Sequence, residues 1–306
     1  MILFSISVHE QPYVIADQVA NFLRFNPGAA IVLHFSAWMP EAEVDQTKQL
    51  LSPYHHVYCN RTRLWSGYAD GTQMKMHVVN FQYALEQNIP FTYFCLHASN
   101  DMFVKSGLDR YITQFDSGYN LAPDYDTSDW IHLQRARADS RLSKMMRRYG
   151  LKKILGTQVE GSFYKKEIMN VVVDRILRDG YHEINKIYAH GTSRRLSTLL
   201  NGKYMRALQR RLAIGLFYAK EEFYFPTLSQ DKVHQRALYN YCYINWQDQL
   251  NISPADIDNI RSGNYSGLRF YEQYNVPLDE IRFFAVKRVD RKMDDPIRQY
   301  IRQLSS

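Results

Sequence analysis

Two adjacent carboxylates, Glu221 and Glu222, lie among aromatic residues in the stretch 220–228, Lys-Glu-Glu-Phe-Tyr-Phe-Pro-Thr-Leu. A carboxylate that aromatic neighbours shield from water has a raised pKa, which suits a general base at neutral pH. Pro226 is expected to end any helix here, because its ring clashes with the preceding turn. The alternative is a water-exposed glutamate pair at a helix end.

A second candidate is the basic run 282–292, Arg-Phe-Phe-Ala-Val-Lys-Arg-Val-Asp-Arg-Lys. Its first residues predict a strand over 282–286 that ends in cations. Lysine and arginine at a buried strand end can hold a diphosphate and neutralise the charge that develops on a departing phosphate. The alternative is a solvated charge run that follows an edge strand.

The sequence lacks the short motifs that identify many cofactor sites and nucleophiles. It contains no Gly-x-Gly-x-x-Gly, no P-loop, no Gly-x-Ser-x-Gly and no Cys/His pair with zinc spacing. Its three cysteines match no disulfide framework. Asp124 and Asp126 form an Asp-x-Asp pair, which holds a divalent metal in many enzymes, but they lie in a loop rather than after a predicted strand. We therefore expect no metal.

The elements that must position these residues alternate regularly over the first hundred residues. The predicted elements are strands at 2–8, 29–35, 56–60 and 91–97 and helices at 12–25, 41–51 and 70–87. Strands separated by helices predict an α/β fold with a mostly parallel sheet. Ligands bind beyond the carboxyl ends of such strands, where His9, Ser36, Asn60 and the turn 98–101 fall.

After residue 129 the sequence becomes more helical and more basic. The stretch 131–149 predicts one helix that carries six cations. Further elements are predicted as helices at 165–178, 194–218 and 296–304 and as strands at 239–245 and 282–286. Because no linker rich in Gly, Ser or Pro divides the chain, we predict a single domain, 1–306, with a βαβ half at 1–128 and a second half at 129–306.

The composition excludes several classes of protein. Of the 306 residues, 45% are hydrophobic and 23% are charged, which excludes a disordered or fibrous chain. No apolar run approaches the roughly 18–20 residues of a membrane-spanning helix. The N-terminal residues 1–8 indicate a first strand rather than a secretory signal, and the few cysteines favour a reducing cytoplasm. A formal net charge of +7 favours anionic partners.

Six stretches, taken in order, resemble the motifs of glycosyltransferase family 14, which holds the core-2 and I-branching N-acetylglucosaminyltransferases and the peptide O-xylosyltransferases. They are the first strand ending at His9 and the segments 60–67, 95–101, 161–164, 221–227 and 284–287. The segment 221–227 is similar to that family's Asp-Glu-x-x-Trp-x-Thr motif, and 284–287 is similar to its Phe-Ala-Arg-Lys motif. The resemblance covers nearly the whole chain.

This resemblance implies a GT-A-like fold, in which a Rossmann-like sheet is flanked by helices, and an enzyme that uses a nucleotide-sugar. It places Glu222 on the family's catalytic base, Glu221 on the acidic residue before it, and Lys287 on the lysine that holds the donor diphosphate. The family works without a metal, so the resemblance implies no metal cofactor. The candidates for the donor base and sugar pocket are His9, Arg63, Trp65 and Asp101.

Two departures from the family pattern lie on the donor side. The second strand ends in 34–36, His-Phe-Ser, rather than His-x-Asp, and Val286 replaces the arginine before the lysine. Arg288, Arg282 or Arg269 can substitute for that arginine, and the sequence does not identify which nucleotide-sugar is the donor. The family's animal members carry an N-terminal membrane anchor that this sequence does not show. The chain therefore resembles a bacterial cytoplasmic relative that makes surface polysaccharides.

We predict an inverting, metal-independent glycosyltransferase that moves a sugar from a nucleotide-sugar to a hydroxyl of a glycan or glycolipid. The basic charge leaves a nucleic-acid-binding protein as an alternative, but without a recognition motif we expect no nucleic-acid partner. A catalytically degenerate sugar-binding relative is a further alternative. The cations of 131–149, with Arg298 and Arg302, predict weak peripheral contact with an anionic membrane, since each cation near such a surface contributes about 1 kcal/mol.

Overall fold

Four strands rich in Ile, Val, Leu and Phe pair as the parallel half of the central sheet. The computed structural model describes residues 1–67, 71–121, 130–178, 218–245, 251–269 and 276–305. The four strands are β1 (Ile2–Val8), β2 (Ala30–Phe35), β3 (Val57–Cys59) and β4 (Tyr93–Ala98). Their order is β3-β2-β1-β4, and every neighbouring pair is parallel. Burial of β1 and β2 on both faces explains why these strands show little polar alternation.

Three helices cover the two faces of this half-sheet. α1 (Pro12–Phe25) and α2 (Glu41–Leu51) share an apolar cluster with one face of β1 and β2, and α3 (Thr72–Glu86) packs on the other face. All three helices were expected from their apolar spacing. α3 begins after Gly71, whereas Asp70, the predicted cap, lies outside the described residues.

The other half of the sheet contains one strand, β7 (Phe163–Lys165), that runs antiparallel to both of its neighbours. These neighbours are β4 and β6 (Ser117–Gly118), and β8 (Arg236–Ala237) pairs parallel with β6. The full order is β3-β2-β1-β4-β7-β6-β8, so the predicted α/β class with a mostly parallel sheet flanked by helices is confirmed. Because β7 runs against β4, the chain just before β7 lies at the carboxyl end of β4, where ligands bind in such sheets.

A second sheet attaches the C-terminal part of the chain to the end of β4. β5 (Asp101–Phe103) follows β4 after a tight turn and pairs antiparallel with β10 (Ala285–Lys287). β9 (Cys242–Tyr243) pairs parallel with β10. The register sets Lys287 opposite Asp101, which brings a residue from each half of the chain to one place.

Most of the remaining helices lie in the second half of the chain. They are α4 (Leu108–Ile112), α5 (Ile131–Ala138), α6 (Ser140–Tyr149), α7 (Lys166–Ile176), α8 (Glu221–Ser229), α9 (Pro254–Ser262) and α10 (Pro296–Gln303). The predicted helix 194–218 lies, except for its last residue, outside the described residues. None of the helices in the described ranges is long and apolar enough to cross a bilayer.

The predicted helix 131–149 is two helices, because Asp139 breaks it. Asp139 has an extended backbone, with φ −74° and ψ 101°, and its carboxylate accepts the N–H groups of Arg141 (2.9 Å) and Leu142 (3.2 Å). A short acidic side chain that satisfies the first N–H groups of a helix favours a helix start over helix continuation. α6 therefore begins at Ser140.

Gly161 allows the second sheet to approach β4 closely. Its N–H donates to the carbonyl of Leu96 (2.9 Å), and its carbonyl accepts the N–H of Tyr241 (3.1 Å). Its φ of +76° lies in the left-handed region, and a Cβ here would lie 2.4 Å from the backbone nitrogen of Cys242. Only glycine meets both conditions without displacement of the backbone.

We expect Gly161→Ala to lower the free energy of unfolding by roughly 3 kcal/mol, because left-handed strain adds to the displacement of a neighbouring strand. Urea denaturation followed by circular dichroism measures this change. Gly28→Ala is the matched control, since Gly28 has no positive φ and a Cβ added there would meet no described atom within 4 Å. Equal stability of the two variants would contradict the close approach.

Candidate active site

Several polar side chains meet at the carboxyl edge of the central sheet. Glu10 follows β1, Ser99 follows β4, Glu160 lies just before β7, and Lys287 ends β10. These elements come from distant parts of the chain, and the pairing of β10 with β5 joins them. The edge therefore brings together charged and polar side chains from four separate parts of the chain.

Lys287 and Glu160 form an ion pair at this edge. Their side chains are only 13% and 12% exposed. Burial acts to lower the pKa of Lys287, but the carboxylates of Glu160 and Asp101 outweigh it and raise that pKa above its usual range. Lys287 is therefore a permanently charged ammonium group in a poorly hydrated place.

Two buried amides fix the backbone of Glu160. The carbonyl of Glu160 accepts a hydrogen bond from Nδ2 of Asn240 (2.8 Å) and another from Nε2 of Gln158 (3.0 Å). The same Gln158 amide also donates to the carbonyl of Cys242 (3.1 Å) in β9. Glu160 is thereby tied to the strand that lies beside Lys287. Sequence analysis missed Glu160, although it directly precedes the stretch 161–164 that resembles a family motif.

Glu222 lies in the first turn of α8 and is half-buried. Burial raises its pKa well above the usual range, the negative charges of Glu221 and Glu160 raise it further, and Lys287 opposes them. This is the direction that the aromatic surroundings of Glu222 predict. Glu222, Glu221, Glu160 and Lys287 thus form one electrostatically coupled group, which we name the carboxylate–lysine cluster.

Pro226 lies inside α8 and does not end it, contrary to the sequence-based expectation. A proline has no N–H to donate to the carbonyl four residues earlier, which here is that of Glu222. That carbonyl instead accepts the N–H of Thr157 (2.9 Å). The hydrogen bond from Thr157 therefore connects the backbone of Glu222 to the segment that contains Glu160.

A buried carboxylate holds the chain on both sides of the glutamate pair. Asp139 accepts hydrogen bonds from the hydroxyls of Tyr218 (2.7 Å) and Tyr224 (2.9 Å) and lies 3.5 Å from Nζ of Lys220. Burial acts to raise the pKa of Asp139, but Lys220 and the hydrogen bonds lower it overall. Asp139 thus positions the start of α8, and with it Glu222.

A second buried acidic group, which sequence analysis also missed, lies at the end of β1. The carboxylate of Glu10 is 3% exposed and contacts Nε of Arg291 at 2.7 Å. It also accepts the hydroxyl of Ser99 and the backbone N–H of His9 (2.9 Å). Arg291 belongs to the predicted basic run and reaches this edge because the chain turns back after β10. The signal in the sequence was Glu10 itself, a charged residue directly after a buried strand.

The four candidates for the donor pocket lie near this edge but in different settings. His9 is exposed beside Glu10. Asp101 is fully buried, and its carboxylate accepts the N–H of Ala98 (2.9 Å) and lies 2.8 Å from Nδ1 of His97. In this arrangement Asp101 holds the β4–β5 turn rather than facing solvent.

Arg63 and Trp65 lie beneath the loop that follows β2. The guanidinium group of Arg63 donates to the carbonyls of Ser36 (3.0 Å) and Met39 and pairs with Glu41 (2.7 Å). Trp65 is buried. Both residues therefore brace this loop, and the donor contact expected for them stays a prediction.

Trp65 supports a neighbouring tryptophan that sequence analysis did not single out. The rings of Trp65 and Trp38 meet edge-on at 4.5 Å, and Nε1 of Trp38 donates to the carbonyl of Ser66 (2.8 Å). Trp38 is 43% exposed, so it presents an aromatic surface in the loop after β2. The cue available in the sequence was a tryptophan two residues after the polar end of a strand.

The structure separates the three arginines that were expected to assist Lys287. Arg288 is adjacent to it, exposed, with a φ of +78° and a backbone N–H that donates to the carbonyl of Asn100 (3.1 Å). Arg282 precedes β10 at the end opposite Lys287 and donates to the carbonyls of its own turn, and its expected contact with the donor diphosphate stays a prediction. Arg269 is exposed beside Tyr243.

The final helix does not supply the membrane-facing cations that were expected of it. Arg298 is fully buried and pairs with Asp17 (2.6 Å), and Arg302 pairs with the same carboxylate (2.7 Å). Both arginines therefore fasten α10 to α1. The exposed cations of α5 and α6 are Arg137, Arg141, Lys144, Arg147 and Arg148.

Metal-ligating side chains do not cluster in the part of the chain that the structure describes. No group of three or more His, Cys, Asp or Glu residues there could hold a metal ion. Asp124 and Asp126 lie outside the described residues. The expectation of metal-independent chemistry stays a prediction.

No family model and no curated protein match the sequence. Among solved structures, the galactosyltransferase LgtC with donor and acceptor sugar analogues has a TM-score of 0.43 at 8% identity, covering 100% of this chain and 95% of that chain. Mouse xyloside xylosyltransferase 1 has a TM-score of 0.33 at 10% identity, covering 96% and 98%. The 4-diphosphocytidyl-2C-methyl-D-erythritol synthase of Anaerococcus prevotii has a TM-score of 0.35 at 9% identity, covering 65% and 82%. These similarities assign no function, and the resemblance to glycosyltransferase family 14 rests on motifs alone.

We expect Asp139→Asn to lower the free energy of unfolding by roughly 2–4 kcal/mol at pH 7, because it removes a buried charge that accepts hydrogen bonds from Tyr218 and Tyr224 and lies 3.5 Å from Nζ of Lys220. The pKa of Asp139 is lowered in the folded protein, so its contribution is present above the unfolded pKa of about 3.9 and is lost as pH falls through the folded value. The difference from the wild type should therefore narrow below about pH 4.

Urea denaturation at several pH values measures this difference. Asp174→Asn is the matched control, since Asp174 is 52% exposed and lies 3.9 Å from Arg178. Its stability should stay within about 0.5 kcal/mol of the wild type. A pH-independent difference for Asp139→Asn would show that the charge of Asp139 is not what stabilises the start of α8.

Proposed function

We propose that the protein is an inverting glycosyltransferase that moves a sugar from a nucleotide-sugar to a hydroxyl of a glycan or glycolipid, without a divalent metal. The observation that carries the proposal is the carboxylate–lysine cluster, in which a carboxylate of raised pKa is electrostatically coupled to a buried ammonium group that Glu160 contacts. A base and a cation in one place are the two groups that displacement of a phosphate leaving group requires. The motif resemblance gives the same roles to the same two residues.

In the proposed reaction Glu222 acts as the general base. Its carboxylate takes the proton of the acceptor hydroxyl while that oxygen forms a bond to the anomeric carbon of the donor sugar. The bond from that carbon to the diphosphate breaks at the same time, and the electron pair leaves with the phosphate oxygen. Attack from the face opposite the leaving group inverts the anomeric centre, through an oxocarbenium-like transition state.

Lys287 supplies the positive charge that the leaving diphosphate needs. A cation that is fixed before the reaction begins stabilises developing negative charge without reorganisation, and low hydration strengthens the effect. Arg288 is adjacent in the chain, and Arg291 reaches the same edge through Glu10. We propose these arginines as further contacts for the donor, in place of the arginine that Val286 replaces.

The donor base and sugar lie, in this proposal, over the loops after β1 and β2. His9 and Trp38 are exposed there and present rings to solvent. Arg63 and Asp101 act by holding the two loops in position. The acceptor is part of a bacterial surface polysaccharide or its lipid-linked precursor, and the exposed cations of α5 and α6 favour weak contact with the anionic inner face of a membrane.

We expect Glu222→Gln to keep nucleotide-sugar binding and to lose roughly 10²–10⁴-fold in kcat, the usual contribution of a positioned general base. A thermal-shift panel of nucleotide-sugars first identifies the donor, since a bound ligand raises the melting temperature. Release of the nucleoside diphosphate in the presence of acceptor then measures turnover. Near-normal turnover would remove Glu222 from this role, and salt-dependent binding to RNA or DNA without any nucleotide-sugar response would favour the nucleic-acid alternative.

Glu221→Gln provides the informative comparison, because it makes the same chemical change one residue away and keeps the base. A base must be ionised to act, so kcat/KM of the wild type rises with pH through the raised pKa of Glu222. Removal of the negative charge of Glu221 lowers that pKa and should move the rise to lower pH. Glu86→Gln, at the exposed end of α3, should leave the profile unchanged.

Metal independence has its own test. We expect turnover to persist in excess EDTA and to fall at least about 100-fold in Lys287→Ala, because the lysine performs the charge neutralisation that a divalent metal performs elsewhere. Lys292→Ala removes an exposed cation from the same run and serves as the control. Activity that EDTA abolishes and that Mg²⁺ or Mn²⁺ restores would overturn the proposal and direct attention to Asp124 and Asp126.

A further inference from the structure

The ammonium group of Lys287 already has an ion-pair partner in the ligand-free protein. Glu160 contacts it directly, and both side chains are nearly buried. The backbone of Glu160 cannot easily withdraw, because the amides of Asn240 and Gln158 hold its carbonyl. An anionic ligand that uses Lys287 must therefore compete with a carboxylate that belongs to the protein.

The groups around Glu160 determine how strong that competition is. The charged and titratable side chains that act on it electrostatically come from four elements, and they are Lys287 in β10, Glu222 in α8, His77 in α3 and Cys242 in β9. Burial lowers the pKa of His77 to about 4, and burial raises the pKa of the Cys242 thiol. Both are therefore neutral at pH 7, so Lys287 is the one cation among these four described residues.

We propose that Glu160 is an affinity-setting residue, a resident carboxylate that keeps weakly held anions away from Lys287. The inference rests on the proposed function, in which the ligand is the diphosphate of a nucleotide-sugar. Such a ligand has two phosphates and a nucleoside that binds elsewhere on the edge, so its total binding free energy can displace the carboxylate. Inorganic phosphate and pyrophosphate lack the nucleoside and therefore bind at Lys287 much more weakly.

The same contact explains why a cation at this depth is tolerated before the ligand arrives. An unpaired ammonium group would be strongly destabilising in a poorly hydrated place, and the Glu160 carboxylate, with that of Asp101 nearby, offsets that penalty. When the ligand departs, Glu160 contacts Lys287 again. The occupied and empty states of the site then differ in which anion, phosphate or carboxylate, neutralises the lysine.

The test compares ligand affinities in the full-length wild type and in Glu160→Gln by isothermal titration calorimetry. The probes are pyrophosphate and the nucleoside diphosphate that gives the largest thermal shift. Because an internal competitor weakens every ligand of Lys287 by the same factor, both affinities should increase together, by about tenfold or more. Mere loss of structure would weaken binding, so a gain cannot come from damage to the fold.

Three controls isolate the contact. The free nucleoside, which carries no phosphate, should bind both proteins equally. The double variant Glu160→Gln/Lys287→Ala should lose the gain. Glu86→Gln removes one negative charge from the opposite edge of the sheet and should bind pyrophosphate as the wild type does.

Unchanged or weaker pyrophosphate binding by folded Glu160→Gln would overturn the inference. If that variant does not fold, Glu160→Asp keeps the charge and shortens the side chain, and its pyrophosphate affinity should exceed that of the wild type by a smaller factor. If Glu160→Asp binds pyrophosphate with the same affinity as the wild type, the inference is also overturned.

The two proposals fail separately. If Glu160→Gln gains pyrophosphate affinity but no nucleotide-sugar is bound or consumed, the role of Glu160 holds and the proposed function falls. If transfer is observed and Glu160→Gln gains nothing, the function holds and Glu160 has another role.

Discussion

A lysine that is removed from water dominates the architecture of the candidate site. Transfer of an ammonium group into a poorly hydrated place costs several kcal/mol unless an anion accompanies it. Lys287 has that anion in Glu160, and the pairing of β10 with β5 decides where the two meet. The strands β5 and β9 position Lys287 at the end of β10, and the segment before β7 positions Glu160 against it.

Three local features hold the contact between Lys287 and Glu160 in place. Each depends on one residue whose backbone or side chain departs from regular helix or strand structure. Gly161 adopts a left-handed backbone so that β9 can approach β4. Pro226 leaves the carbonyl of Glu222 available to Thr157, which joins α8 to the segment that contains Glu160. Asp139 interrupts a long helix and holds the chain on both sides of the glutamate pair. Backbone polar groups that one element cannot satisfy thus connect it to another.

The first half of the fold was predictable because its signals are local. Buried strands and amphipathic helices alternate from β1 to β4, and periodicity alone identifies them. The glutamate pair, the basic run and the motif resemblance identified Glu222 and Lys287 as candidates, and their roles stay predictions. Glu160 and Arg291 were not identified as candidates, because their importance depends on the pairing of distant strands and on a turn after β10 that no propensity describes. Arg282 is close to Lys287 in sequence, but the strand β10 separates the two residues, and sequence alone did not show this.

Paired charges are characteristic of the edge where we propose that an anionic ligand binds. Lys287 has Glu160, Arg291 has Glu10, and Arg63 has Glu41, each within contact distance. Part of the excess positive charge lies elsewhere, for example on the exposed faces of α5 and α6. A cation that is already paired with a carboxylate attracts an anion less strongly by charge alone. In the proposed function, the additional contacts of the ligand supply the free energy that separates one of these pairs, because the resident carboxylate lowers the affinity of every anion for the lysine by the same factor.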